Sequence, residues 1–175
     1  NAIFFADYGN RMLPSSAGRT TMCPTELMFD PAKPPSVELL PIETRTRNTS
    51  ISEYKRMPAE WRIEPLDINS AEAMQETLRH VSEVIRVERG VAEDLGFAVG
   101  DDSIDTFHVG DDGRVEIPRW RHAIINFPHP LLKQGLVILD TPGLNAIGTE
   151  PELTLSLLPN AHAVLFILAA DTGVT

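Results

Sequence analysis

Asp140, Thr141, Pro142 and Gly143 are the residues whose types and order could do chemistry. A carboxylate at the carboxyl end of a strand can hold Mg²⁺ through water. A glycine shortly after it can bring its backbone N–H to a terminal phosphate. Pro142 fixes its own φ, and Gly143 carries no Cβ to keep a ligand away. Leu136-Val137-Ile138-Leu139 just before them reads as a strand buried on both faces, with β-branched Val137 and Ile138 favouring strand over helix. The plain alternative is a strand that merely ends in a turn, because Asp, Pro and Gly are common in turns.

Other candidate chemistries fit less well. Asp171-Thr172-Gly173 carries the triplet of aspartic proteases, whose two carboxylates share a proton, but it occurs once, and a strand-to-loop turn explains it. His80, His108, His122, His129 and His162 show no zinc-ligand spacing with Cys23. Asp101, Asp102, Asp105, Asp111 and Asp112 lack the alternating spacing and final Glu of a calcium loop. They read instead as a surface loop followed by a hairpin turn at Asp112-Gly113, between Phe107-His108-Val109 and Val115-Glu116-Ile117. No Gly-x-Ser-x-Gly elbow is present for a serine hydrolase.

The elements that must position Asp140 can be read from pattern. Asn1 to Gly9 reads as the second half of a helix, and Asn10 to Pro24 as a polar loop punctuated by Pro14, Gly18 and Pro24. Thr25 to Phe29 and Val37 to Leu40 are extended. Ser50-Ile51-Ser52-Glu53 forms a capping box opening a short helix. A longer helix begins after Asn69, with Met74, Leu78, Val81 and Ile85 on one stripe and Glu83–Arg86 as a solvated pair. Leu136 to Leu139 is expected to pair antiparallel with a strand at Arg121 to Phe127. On its other side it is expected to pair parallel with Ala163 to Leu168 after a short helix near Glu150 to Leu158. Strands separated by helices imply an α/β fold with a mixed, mostly parallel sheet.

Composition bounds the partners. The formal charge is −10, which argues against nucleic acid or an anionic bilayer as a partner of this segment. A single cysteine, Cys23, excludes an internal disulfide and favours a reducing compartment. The apolar run from Ala161 to Ala170 contains His162 and falls short of the ~18 residues of a membrane span. At 175 residues the length is that of about one domain. The chain opens without methionine and closes just after an apolar strand, as expected of a piece of a longer protein.

Three stretches and one long insertion resemble a known family. Leu-Pro-Ser-Ser-Ala-Gly-Arg-Thr-Thr-Met-Cys-Pro-Thr is similar to the switch I loop of dynamin-superfamily GTPases, and Asp140-Thr-Pro-Gly143 to their switch II motif. Asn-Ala-Ile-Phe resembles the helix that follows their phosphate loop. A helical insertion at residues 45–118, before the strand pair leading to switch II, is similar to that of dynamins and most like bacterial dynamin-like proteins. The resemblance covers essentially residues 1–175, read as a partial GTPase domain.

Carried over, the resemblance makes Thr21 the switch I threonine, with Thr20 the second choice. Its hydroxyl would ligate Mg²⁺ and its carbonyl would help place the attacking water. Asp140 would hold the metal through a water, and the Gly143 amide would meet the γ-phosphate. It further implies GTP as substrate, GTP and GDP as ligands, and self-association through the GTPase domain. It implies a cytoplasmic protein, with peripheral membrane attachment through regions outside this chain. The family's phosphate loop would precede Asn1 and its guanine-reading motif would follow Thr175, so this segment alone is expected to be inactive. A pseudo-GTPase or scaffold domain, keeping the fold for protein contacts without turnover, is the alternative of a different class.

Overall fold

A computed structural model describes Phe4, Phe5, Tyr8 and residues 23–97, 110–140 and 161–165. Seven strands and three helices follow in chain order: β1 Thr25–Met28, β2 Ser36–Pro41, α1 Ile51–Tyr54, β3 Arg62–Pro65, α2 Ala71–Arg79, β4 Val84–Val87, α3 Arg89–Asp94, β5 Val115–Pro118, β6 Trp120–Asn126 and β7 Ile138–Asp140. Five strands form one mixed sheet in the order β3-β2-β6-β1-β7, and β4 and β5 form a separate pair. With helices against it, this is the expected α/β class. Among the described residues the parallel pairing is β1 with β6, while β1–β7, β2–β3 and β2–β6 are antiparallel.

Alternation along the strands divides the sheet into two apolar faces. Leu27, Val37, Leu39, Ala123 and Ile125 face one core, where they meet Met74 and Leu78 of α2, Phe5 and Phe127. Leu40 and Ile124 face the other, against Ile51, Tyr54 and Trp61. Burying Met74 and Leu78 completely stabilises the docking of α2 by roughly 1.5–3 kcal/mol for each side chain. Phe5, near the start of the chain, is buried with its ring 5.0 Å from that of Phe127. Ile42, Ala92, Leu95, Phe97, Val115 and Ile117 form a third cluster under α3 and the β4–β5 pair.

Local chemistry explains the helix starts. Ser50 and Glu53 make the expected capping box: the Ser50 hydroxyl accepts from the Glu53 N–H, and the Glu53 carboxylate accepts from the Ser50 N–H at 2.8 Å. Ser70 caps α2 by accepting from the Ala73 N–H at 3.2 Å. A turn at Asp112-Gly113 is present, with Gly113 at φ 74° and the Gly110 N–H donating to the Arg114 carbonyl; residues 107–109, the expected first arm of its hairpin, lie outside the described residues, and Val115–Pro118 pairs with β4.

Three expectations change. The α2 helix ends at Arg79, so Ile85 does not continue its stripe; it lies in β4 and packs on the third cluster. The β-branched run Val84-Ile85-Arg86-Val87 outweighs the helical spacing. Glu83 and Arg86 consequently do not pair: Arg86 meets Glu116 across β4–β5, and Glu83 meets His80 and Arg119. The segment 45–118 is therefore not helical alone, since it holds β3, β4 and β5 besides α1, α2 and α3.

The third change concerns β7. Its antiparallel partner is β1, with Thr25 opposite Asp140, Glu26 opposite Leu139 and Leu27 opposite Ile138. The expected partner, β6, lies on the far side of β1. The connection from Phe127 to Val137 exceeds the two to five residues of a tight hairpin, and includes a 3₁₀ turn at Leu132–Gln134. That length lets the chain step across one intervening strand. The segment 161–165 is not in a strand, and residues 166–168 of the expected parallel partner lie outside the described residues. Among the described residues β7 is an edge strand, which differs from the expected central position.

Candidate functional site

Asp140 is the last residue of β7 and is exposed. Antiparallel pairing lays the carboxyl end of β7 against the amino end of β1, and Thr25 is the cross-strand partner of Asp140. Thr25 begins β1, four residues after Thr21 in sequence. The strand pair thus lays Asp140 against the amino end of β1. Thr20, Thr21 and Gly143 themselves lie outside the described residues. Of the sequence-predicted site residues, Asp140 is the one whose position is described.

The entry to β1 is held firmly. Thr25 and Cys23 are both buried; the Thr25 hydroxyl donates to the Cys23 carbonyl at 3.1 Å, and the Cys23 thiol to the Val81 carbonyl at 3.5 Å. At the other end of β1, buried Asn126 of β6 secures the turn into β2. Its Nδ2 donates toward the carbonyls of Asp30, Lys33 and Pro34 at 3.0–3.2 Å, and its Oδ1 accepts from the Asp30 N–H at 2.8 Å. Both ends of the strand beside Asp140 are therefore fixed by side-chain hydrogen bonds.

A charged group that the sequence reading did not single out sits in the middle of β1. Glu26 is buried, with Lys55 Nζ donating to Oε1 at 2.6 Å and Oε2 at 2.8 Å, and His122 Nε2 3.0 Å from Oε1. Burial pushes its carboxyl up. The hydrogen bond and charge of His122, then those of Lys55, outweigh that and hold it at about 2. No sequence motif announces this network, because its members come from β1, α1's carboxyl end and β6. A glutamate and a histidine inside otherwise apolar strands were the available signal.

An exposed carboxylate at a strand end is an oxygen donor of the type Mg²⁺ takes, and Mg²⁺ commonly uses one or two carboxylates with phosphates and water supplying the rest. Among the described residues no group of three or more His, Cys, Asp or Glu could hold a metal ion, so a fully protein-caged metal is not built there.

The described strands form a mixed α/β sheet in which Asp140 ends β7 opposite Thr25 at the start of β1. Residues 8–175 match the Dynamin family, and the chain belongs to it. A bacterial dynamin-like protein of Nostoc punctiforme is 39% identical over 54 residues, covering 31% of this chain and 8% of that protein. The isoniazid-induced protein IniA of Mycobacterium tuberculosis is 38% identical over 86 residues, covering 48% of this chain and 12% of that protein. The chain therefore spans a small part of the length of the curated relatives it matches. No solved structure matches it.

Proposed function

We propose that this chain is part of the GTP-binding and GTP-hydrolysing domain of a dynamin-like protein that self-assembles and remodels membranes. Membership of the Dynamin family along residues 8–175 is the observation that carries the reading. The pairing of Asp140 with Thr25 is consistent with it at the level of residues, since it lays the end of β7 beside the start of β1. In this reading Thr21, with Thr20 as second choice, ligates Mg²⁺ through its hydroxyl and orients the attacking water through its carbonyl. Asp140 holds the metal through a water, and the Gly143 amide meets the γ-phosphate. Bound Mg²⁺ would supply charge neutralisation on the phosphates; the chain's own residues position water and nucleotide. Self-association and peripheral membrane contact belong to the same proposal, as does a cytoplasmic location.

The test is steady-state hydrolysis of GTP with Mg²⁺ by the full-length protein, alongside nucleotide binding by calorimetry. Turnover that is saturable in GTP supports the enzyme. Binding without turnover supports a scaffold domain instead, and absence of both overturns the reading.

A further inference from the structure

Glu26 occupies an unusual place for a carboxylate. It lies on the sheet face shared with Leu40 and Ile124, beneath Ile51, Tyr54 and Trp61. Among the described residues, charged or titratable groups at that face include Glu38, paired with Lys33 at 2.8 Å, Arg121, whose guanidinium lies 5.5 Å from the Tyr54 ring, and the partners of Glu26 itself, His122 and Lys55. His122 is fully buried, packs edge-on against Trp61, and spends Nε2 on Glu26; its Nδ1 has no hydrogen-bond partner among the described residues. Lys55 reaches in from the carboxyl end of α1, within the segment between switch I and the β6–β7 strands. Both carboxylate oxygens are used, and they join three separate elements.

Such a network is a poor source of stability for its burial, because desolvation offsets much of the attraction. It is a strict specifier of register. If β1 slipped one residue along β6, Glu26 would move to the opposite face, among Leu27, Val37, Leu39, Met74 and Leu78. A two-residue slip would keep the face but carry the carboxylate roughly 6.6 Å along the strand, out of reach of His122. Glu26 is also the cross-strand partner of Leu139, next to Asp140. Whatever fixes β1 therefore bears directly on the strand end that carries Asp140.

We propose that Glu26 is a positioning residue: clasped by His122 and Lys55, it ties α1 and β6 to β1 and thereby sets the placement of Asp140 relative to the start of β1 at Thr25. The inference rests on the GTPase reading for its catalytic consequence, and on the strand geometry for the tie itself.

The experiment uses the full-length protein with Glu26→Gln and Lys55→Met, the second altering a half-exposed side chain that the fold tolerates more readily. Ser50→Ala is the control, because it weakens the same helix at its cap without touching Glu26. Hydrogen exchange at Thr25–Leu27 and Ile138–Asp140 reads the tie, and kcat against KM for GTP reads its consequence. Expected in both test variants are at least tenfold faster exchange in β7 and about tenfold lower kcat with KM little changed, with Ser50→Ala at wild-type values for both. Wild-type exchange in β7 overturns the proposal whatever the hydrolysis does, and so does faster exchange with unchanged kcat. If the wild type itself does not hydrolyse GTP, the GTPase reading has failed, and the exchange data alone decide for or against the tie.

Discussion

Thr25 and Asp140 face each other across the β1–β7 pair, the first residue of one strand opposite the last of the other. Two segments more than a hundred residues apart in sequence are thereby brought to one end of the sheet. This is the relationship on which a shared site for the threonine loop and the Asp-Thr-Pro-Gly motif depends.

Thr21→Ala and Asp140→Ala should each lower GTP turnover strongly in the full-length protein. Losing a preorganised transition-state contact at Thr21 is expected to cost about 2.7–4 kcal/mol, or about 10²–10³ in kcat. Asp140→Ala should in addition raise the Mg²⁺ concentration needed for half-maximal rate. Steady-state assays across a magnesium titration check both, and wild-type rates in the two variants would remove the catalytic assignment.

Asn126→Ala should destabilise the domain by about 2–4 kcal/mol, since it strips the turn between β1 and β2 of a donor for three carbonyls and an acceptor for the Asp30 N–H. Asn126→Asp should be at least as damaging. It keeps the acceptor but turns a carboxylate oxygen toward the carbonyls of Asp30, Lys33 and Pro34. Urea unfolding midpoints measure the order; a harmless Asp substitution would contradict the hydrogen-bond assignment.

Acid should unfold the domain partly through Glu26. Its folded-state value of about 2 lies below the ordinary glutamate value of 4.5, so its contribution is fully present above pH 4.5 and is lost as pH falls toward 2. The shift corresponds to about 3 kcal/mol at neutral pH. Denaturation curves between pH 7 and pH 3 should therefore lose less stability in Glu26→Gln than in the wild type, although the variant starts lower. Parallel curves would show that the carboxylate is not ionised by its partners in this way.

Ser50→Ala should cost about 0.5–2 kcal/mol, because the hydroxyl caps the Glu53 N–H at the start of α1. Met74→Ala or Leu78→Ala should cost about 2–5 kcal/mol each, both side chains being fully buried between α2 and the sheet. Comparing thermal or urea midpoints of the three variants checks the ranking of cap against core.

The sequence by itself determined what is local. The capping box at Ser50–Glu53, the strands at Thr25–Met28 and Ser36–Pro41, and the Asp112-Gly113 turn depend on neighbours a few residues apart, and their residue types state them directly. The family is likewise read from the sequence, residues 8–175 matching the Dynamin family. Only the tertiary structure decided which strands meet. Leu136–Leu139 looked like the return partner of β6, yet β1 lies between them, because a connection of this length permits several pairings and tertiary packing selects among them. The same holds for Ile85, whose spacing suited a helix until β5 offered Val84–Val87 a partner strand. It holds most of all for Glu26, whose buried charge is tolerable only because folding brings Lys55 and His122 to it from elements distant in sequence.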